Sequence, residues 1–328
     1  MTPACTILFS SAGRRVELIR CFRESAAALG IEARVIAVDL DPAMSAACRV
    51  ADLALPVPRC GHPEYLQVLL GICAEHGVDL LIPTIDPELA ILSRHAGRFH
   101  ELGARIAVSR PTVVDLARDK LRTARFLAAN GIPAPRSAAI AEVAAAPHDW
   151  TWPVLVKPRS GSSSIGIKVV SAPEKLAALA AGADQMVQQL LQGDEYTVNL
   201  FFDHTGRLRC AIPHRRCEVR AGEVAKGLTT RHTGLERLAW RLGEALDGAR
   251  GALCFQAIVD AAGAPAIFEI NARFGGGYPL AHRAGARFAQ WLLEEITQRP
   301  LSAHNDWRDG VLMLRYDDAV FQDRPDHR

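Results

Sequence analysis

The stretch "FEINARFGGGYPL", residues 268–280, decides how the chain is read. It sets a carboxylate, a carboxamide and a guanidinium at every second position, Glu269, Asn271 and Arg273, and follows them with Gly275, Gly276 and Gly277. Side chains at i, i+2 and i+4 of a strand share a face, so these three project together. Across the turn "DAAGAP", residues 260–265, the preceding strand offers Gln256 to the same face if the turn sets that register. Carboxylate and amide oxygens are hard ligands suited to Mg²⁺, which takes one or two carboxylates and fills its shell with water and phosphate oxygens. Arg273 would then face a phosphate or a developing anion. The alternative is a plain polar strand edge, although such an edge favours Lys, Thr and Glu over an Asn ahead of three glycines.

A second stretch, "VLVKPRSGSSSIGIK", residues 154–168, ends an apolar strand on Lys157 and continues into a Gly/Ser loop before Lys168. Bare amides and hydroxyls of such a loop can surround phosphate oxygens while a lysine supplies point charge. The lysine precedes the loop and a strand follows it, so this is not a P-loop. Alone, it reads equally well as a generic Gly/Ser turn.

The 328 residues are too many for one core of usual size, which predicts two or three compact units. A formal charge of +2, with 23 % charged and 49 % apolar residues, argues against disorder and gives no reason to expect a nucleic-acid or membrane partner. The eight cysteines contain no C-x-x-C pair, which predicts reduced thiols filling space in a reducing compartment. The N-terminus has its apolar residues ahead of its basic ones, the reverse of a secretory signal, and a cytoplasmic location is expected.

Strand and helix patterns alternate over the first third: "TILFS", a helix over 14–29, "RVIAVDL", a helix over 63–76, "VDLLIP". That order predicts a parallel sheet with right-handed crossovers. The single glycine of "SSAGRR" falls short of a dinucleotide fingerprint. Asp39 and Asp41 close the second strand, either as ligand contacts or as loop acids. Asp86 is expected to cap a helix whose first residue is Pro87. A helical pair from Pro111 stops at Asn130-Gly131, and further strands, helices and a hairpin lead to a closing strand in "DGVLMLRYDDAVF".

Lys120, Lys157, the Gly/Ser loop, "VQQLLQGDEYTV" and the set Gln256, Glu269, Asn271 and Arg273 occur in the order and spacing of the ATP-grasp superfamily, which the chain resembles from about Pro111 to Arg299. The whole resembles a single-copy relative of the carbamoyl-phosphate synthase large subunit. The resemblance implies an α/β and α+β protein: a Rossmann-like parallel-sheet domain (1–115), a two-part ATP-grasp (116–300, with a mobile lid at about 134–187), and a C-terminal strand and tail (301–328). It implies ATP and Mg²⁺ as cofactors, with two ions and Mn²⁺ as an acceptable substitute. Lys120 and Lys157 would hold the α- and β-phosphates, and Ser160, Gly161, Ser162, Ser163, Ser164 and Gly166 would cover them. Gln189, Leu190 and Leu191 would read adenine through their backbone, and Glu195 would accept the ribose hydroxyls. Gln256, Glu269 and Asn271 would bind the metal, while Arg273, with Lys157, would steady the transferred phosphoryl group.

Two residues depart from the family pattern: Gln189 stands where a carboxylate is common, and Ala272 where a proline is. The activity implied is ATP-dependent ligation of a carboxylate to an amine or thiol through an acyl phosphate. A nucleotide-binding regulator without turnover and a partial carbamoyl-phosphate-synthase-like enzyme are the alternatives. The partners implied are small-molecule carboxylates and amines, with a homodimer as the assembly. Specificity is expected between the N-terminal domain and Gly275–Gly277, the glycines leaving room for the acyl acceptor. Arg220, Lys226, His214, His232 and His282 are secondary candidates that read as readily as solvated charges or packing histidines.

Overall fold

The structure, a computed structural model, describes residues 4–161, 166–177 and 184–321. Its first unit runs β1 (Ala4–Ser10), α1 (Val16–Ala28), β2 (Glu32–Asp39), α2 (Ala46–Val50), β3 (Leu53–Pro56), α3 (Tyr65–His76), β4 (Leu80–Pro83), α4 (Asp86–Arg94), α5 (Ala96–Glu101) and β5 (Arg105–Ile106). The strands lie parallel in the order β3-β2-β1-β4-β5, with Ile7 paired to Val35 on one side and to Leu80 on the other. Ile7, Leu8, Phe9, Leu80, Leu81 and Ile82 are fully buried, as a sheet covered on both faces requires. The Rossmann-like parallel sheet is therefore as expected.

Two turns differ from expectation, and both matter for the cleft. Helix α1 starts at Val16 rather than Arg14, because Ser11 and Gly13 take positive φ (50° and 49°) and Arg15 N–H closes a turn on Ala12 O at 2.9 Å. Arg15 is thereby left in the turn. At α4 the capping residue is Ile85, and Asp86 is the first helical residue. The N–H groups of Thr84 and Ile85 donate to buried Glu88 at 2.8 and 3.2 Å, which frees the Asp86 carboxylate for another partner. Asp39 accepts from Gly13 and Leu40 N–H, and Asp41 from Ala43 N–H, so both act as loop braces.

Next come α6 (Pro111–Arg118), α7 (Lys120–Ala129), β6 (Ser137–Ala139), α8 (Ile140–Ala145), β7 (Val154–Pro158), β8 (Lys168–Val170), α9 (Pro173–Ala177) and β9 (Gln185–Gln189). Asp119 caps α7, accepting from Leu121 and Arg122 N–H at 3.0 and 3.1 Å, and so places Lys120 at the first helical position. The strands form a small sheet in the order β6-β9-β7-β8 over an apolar cluster that includes Val143, Val156 and Val187. Ser162, Ser163 and Ser164 of the expected phosphate loop lie outside the described residues.

The remainder is β10 (Asp194–Phe202), β11 (Leu208–Arg220), β12 (Glu223–Thr229), α10 (Thr233–Ala245), β13 (Gly251–Val259), β14 (Pro265–Asn271), α11 (Tyr278–Arg283), α12 (Phe288–Ile296) and β15 (Leu312–Leu314). The strands build a six-stranded antiparallel sheet, β14-β13-β10-β11-β12-β15. In the β13–β14 hairpin Gln256 pairs with Glu269 and Cys254 with Asn271, with a register shift beside Gln256 that leaves Phe268 unpaired. The turn thus sets the register that brings Gln256 beside Glu269.

Both large units share one core. Phe9 packs on Phe22 (ring centroids 5.3 Å), Phe22 on Phe274 (5.8 Å) and Phe274 on Tyr278 (4.7 Å), and the chain of rings continues through Phe288 to Trp291. Phe274 and Tyr278 belong to the 268–280 stretch, so the segment after Arg273 is anchored on α1 of the first unit. All eight cysteines are free, and only Cys217 is exposed, in keeping with space-filling thiols.

Candidate active site

A cleft of about 410 Å³ opens where the three sheets meet, within the roughly 300–1,000 Å³ typical of small-molecule sites. Its lining includes Lys120, Lys157, Ser160, Gly161, Gln189, Leu191, Glu195, Gln256, Glu269, Asn271 and Arg273. Leu190 and Gly166 are not part of it. Residues that the sequence places up to 153 positions apart therefore converge, and the strand alternation of β14 is what puts Glu269 and Asn271 on one wall.

Lys157 is the last residue but one of β7 and is almost fully buried, with Nζ donating to Gln188 Oε1 at 2.9 Å and lying 5.6 Å from the Phe268 ring centroid. Burial lowers its ammonium to about 8, against the pull of Glu269 and with a push from Lys120. Lys120 Nζ donates to Gly161 O at 2.5 Å and sits 3.4 Å from Glu269 Oε1. Two lysines thus flank one carboxylate, an excess of positive charge that suits a polyphosphate.

Arg273 does not stand free. Its Nη2 and Nε reach Asp86 Oδ2 at 2.7 and 3.1 Å, Nη1 donates to Phe274 O at 3.1 Å, and Nη2 lies 3.3 Å from Asn271 Oδ1. Burial opposes its charge, but Asp86, helped by Cys254 and Glu269, outweighs this and holds the guanidinium above its ordinary value. The Asp86 carboxylate, expected as a helix cap, serves instead to orient Arg273.

Glu195 is 2.9 Å from Arg216 Nε, and with its amide turned to satisfy both neighbours Gln256 donates to Glu269 Oε2 at 3.1 Å and accepts from Arg216 Nη1 at 3.2 Å. Burial raises the Glu195 carboxyl, and Glu269 adds to the rise while Arg216 opposes it. Arg216, Gln188, Thr197, Glu223, Arg15 and Arg315 were not singled out in the sequence. The signal for Arg216 was the doublet Arg215-Arg216: neighbours on a strand face opposite ways, and Arg215 goes out to Asp194 while Arg216 goes in.

The three glycines serve protein side chains rather than an open space. A Cβ at Gly275 would lie 3.0 Å from Cys254 Sγ, at Gly276 2.8 Å from the Glu223 carboxylate carbon, and at Gly277 2.7 Å from His214 Nε2. His214 is fully buried, with Nδ1 3.3 Å from Asn199 Nδ2 and Nε2 without a partner among the described residues. Burial, aided by Arg216 and Arg315, depresses the imidazole to about 3, so it stays neutral and packs. Arg220 pairs with Asp317 and Lys226 with Glu218 at the exposed end of the β11–β12 hairpin, and His232 caps α10 by accepting from Leu235 N–H. His282 lies within α11, 3.1 Å from the Tyr278 hydroxyl.

Among the described residues no three His, Cys, Asp or Glu side chains cluster as a metal cage. Glu269 and Asn271 nonetheless fit an ion that arrives with phosphate oxygens, because Mg²⁺ takes few protein ligands in such sites.

Residues 117–277 match the family described as "ATP-grasp domain", and residues 7–107 match "PylC-like, N-terminal domain". The chain carries an ATP-grasp domain. A D-alanine–D-alanine ligase of Xylella fastidiosa is 38 % identical over 96 residues, 26 % of this chain and 32 % of the relative. One of Chromohalobacter salexigens is 33 % identical over 119 residues, 33 % of this chain and 35 % of the relative. The chain thus spans about a third of the length of the curated relatives it matches. The biotin carboxylase domain of Hydrogenobacter thermophilus 2-oxoglutarate carboxylase, solved with MgADP, ADP and bicarbonate, superposes with a TM-score of 0.75 at 17 % identity, covering 93 % of this chain and 73 % of that one. The N5-carboxyaminoimidazole synthetase of Staphylococcus aureus gives 0.70 at 14 % identity, covering 94 % and 81 %. These neighbours place the PylC-like unit and the ATP-grasp domain in a shared fold. Among the described residues, no helix is long and apolar enough to cross a membrane.

Proposed function

We propose that the chain is an ATP-dependent carboxylate–amine ligase. The observation that carries this is the convergence of Lys120, Lys157, Glu269, Asn271 and Arg273 on one cleft of an ATP-grasp domain. Lys120 and Lys157 hold the phosphates, the backbone at Gln189 and Leu191 faces the adenine, and Glu195 takes the ribose hydroxyls once it yields part of its contact with Arg216. Glu269 and Asn271 hold Mg²⁺, with Gln256 orienting Glu269 through their hydrogen bond. The metal, when bound, neutralises phosphate charge and so eases attack on the γ-phosphorus.

A carboxylate is a poor electrophile until its oxygen carries a good leaving group. Its oxygen attacks the γ-phosphorus, the bond to ADP breaks, and an acyl phosphate forms. The amine nitrogen then bonds to the acyl carbon, the C–O bond to phosphate breaks, and the nitrogen loses a proton. Positioning and charge neutralisation carry both steps, with Arg273 facing the transferred group. The small sheet β6-β9-β7-β8, which fills most of the range 134–187 and ends at Gln189, is the lid over the phosphates.

The test is phosphate release from ATP and Mg²⁺ across a panel of carboxylate and amine pairs. A pair that gives stoichiometric ADP, phosphate and amide supports the reading. ATP binding without release from any pair favours a nucleotide-binding regulator.

A further inference from the structure

The unit built on the parallel sheet sends four residues into the cleft, Arg15 from the turn after β1 and Thr84, Ile85 and Asp86 from the turn after β4. β1 and β4 are neighbours in the order β3-β2-β1-β4-β5, and their connections leave in opposite directions. That opens a crevice at their carboxyl ends, where open α/β sheets take ligands. Arg15 lies 2.9 Å from Glu223, which Arg315 meets at 3.0 Å from the other side, and Asp86 holds Arg273. Both turns thus carry side chains whose partners belong to the other large unit, and the way the turns are held together sets where those partners meet.

Glu88 joins them. It is fully buried, although a glutamate is seldom so without a cation, and its four hydrogen-bond partners are all neutral. Oε1 accepts from Thr84 and Ile85 N–H, the half of the group that caps α4. Oε2 accepts from Ser11 Oγ at 2.9 Å and from Tyr65 OH at 2.5 Å, two donors from the turn after β1 and the start of α3 that a helix cap does not need. Thr84 Oγ1 in turn donates to Ser11 O at 2.6 Å, which closes a ring between the two turns. Ser11 takes its positive φ of 50° inside that ring, a conformation that a residue other than glycine keeps only where its surroundings fix it.

We propose that Glu88 is a positioning residue for phosphoryl transfer: through Oε2 it ties the turn after β1 and helix α3 to the turn after β4, and so fixes where Asp86 holds Arg273. Asp86 stands two residues before Glu88, on the first turn of the same helix. Loosening Oε2 leaves the cap on Oε1 intact but lets the start of α4 shift against the sheet, and Asp86 moves with it. The Tyr65 hydroxyl is the clean point of attack, because its removal takes one donor from Oε2 and leaves the ring in the core. In Glu88→Gln an amide that donates replaces the oxygen that accepts from two hydroxyls. The kinetic consequence rests on the ligase reading, whereas the hold on Asp86 and Arg273 is measurable without any substrate.

The test has two arms on the full chain. In the first, the Arg273 Nε–H, which donates to Asp86 at 3.1 Å, is followed as a nitrogen–proton NMR signal assigned by its loss in Arg273→Lys. Tyr65→Phe and Glu88→Gln should each speed its exchange with water by about tenfold or more, the sign of local opening at that contact. In the second, phosphate release is measured with the carboxylate and amine pair that supports turnover. Each variant should lower kcat by about fivefold or more with the KM for ATP changed by less than about twofold. In an Asp86→Ala chain the same substitutions should lower kcat by less than about twofold, because two residues acting through one contact are not additive. A cap that only stabilised the helix would give additive losses. Unchanged exchange in both variants, or the full loss of kcat persisting in the Asp86→Ala chain, would overturn the inference while the ligase reading stands. If no pair releases phosphate, the ligase reading falls and the exchange arm still decides whether Glu88 holds Asp86 and Arg273. Tyr65→Phe carries both arms should Glu88→Gln fail to fold.

Discussion

The Arg273 guanidinium and the Asp86 carboxylate, 187 residues apart in the chain, meet at 2.7 Å across the two large units. In the proposed reaction Arg273 would face the transferred phosphoryl group, and Asp86 would act by holding Arg273 in position. Asp86→Ala should lower folding stability by about 1–3 kcal/mol, the usual result of leaving a buried polar group unpartnered. It should also lower kcat by about tenfold or more with little change in the KM for ATP. Urea unfolding and steady-state phosphate release check both, and Asp86→Asn, which keeps an acceptor oxygen, should recover much of the stability but less of the rate.

Glu269→Ala should abolish phosphate release and leave the fold intact, because the side chain supplies charge to the cleft and fills no core volume. Thermal unfolding near that of the unsubstituted protein together with lost turnover is the expected pair of results. Turnover near the original level would remove Glu269 from the metal site.

The buried Lys157 ammonium, lowered to about 8, ties nucleotide binding to pH. Phosphates favour its charged form, so ATP affinity should weaken above pH 8, by up to about tenfold per pH unit until other groups intervene. Calorimetry in buffers of different ionisation enthalpy should show proton uptake on binding in that range. Folding stability moves the other way: the folded lysine gives up its proton before the unfolded chain, near 10.5, so stability should rise between about pH 8 and 10.5 as the cost of burying the charge is relieved. Lys157→Met should remove both effects.

Gly277→Ala places a Cβ 2.7 Å from His214 Nε2 and 2.9 Å from Val224 Cγ1. Neither neighbour can retreat easily from a buried site, and a loss of about 1–3 kcal/mol is expected, as for other overpacked cores. Chemical denaturation measures it, and His214→Ala in the same chain should restore part of the loss by opening space.

His214 should carry an acid-stability signature. The folded ring stays neutral down to about pH 3 while the unfolded one titrates near 6.5, so the unfolded chain takes up the extra proton and stability is lost as pH falls below 6.5. His214→Gln should show a shallower decline from pH 6.5 to 4 in unfolding experiments.

Much of this was legible in the residues themselves. The parallel sheet followed from apolar runs spaced by helical patterns, and the wall of Glu269, Asn271 and Gln256 followed from strand alternation and one hairpin turn. Local periodicity could not disclose long-range pairings. Asp86 read as a helix cap because Asp-Pro is a capping signature, yet Glu88 took the backbone N–H groups and released it to Arg273. The glycines read as vacant room because a sequence does not show that Cys254, Glu223 and His214, from three other strand positions, lie against them. Arg15 and Arg315 were hidden for the same reason, since nothing in a turn or after a short strand says that both will reach one carboxylate.

The ring series from Phe9 through Phe22, Phe274 and Tyr278 to Trp291 limits how such a protein can be dissected or recombined. A fragment beginning near residue 117, where the ATP-grasp match starts, would lose the cover that Phe22 gives Phe274 and expose an aromatic face to water. A foreign N-terminal unit would have to present a ring at the same height on its first helix before Arg273 could find its acid. The two units match separate sequence families yet share one packed core, so they are expected to unfold together.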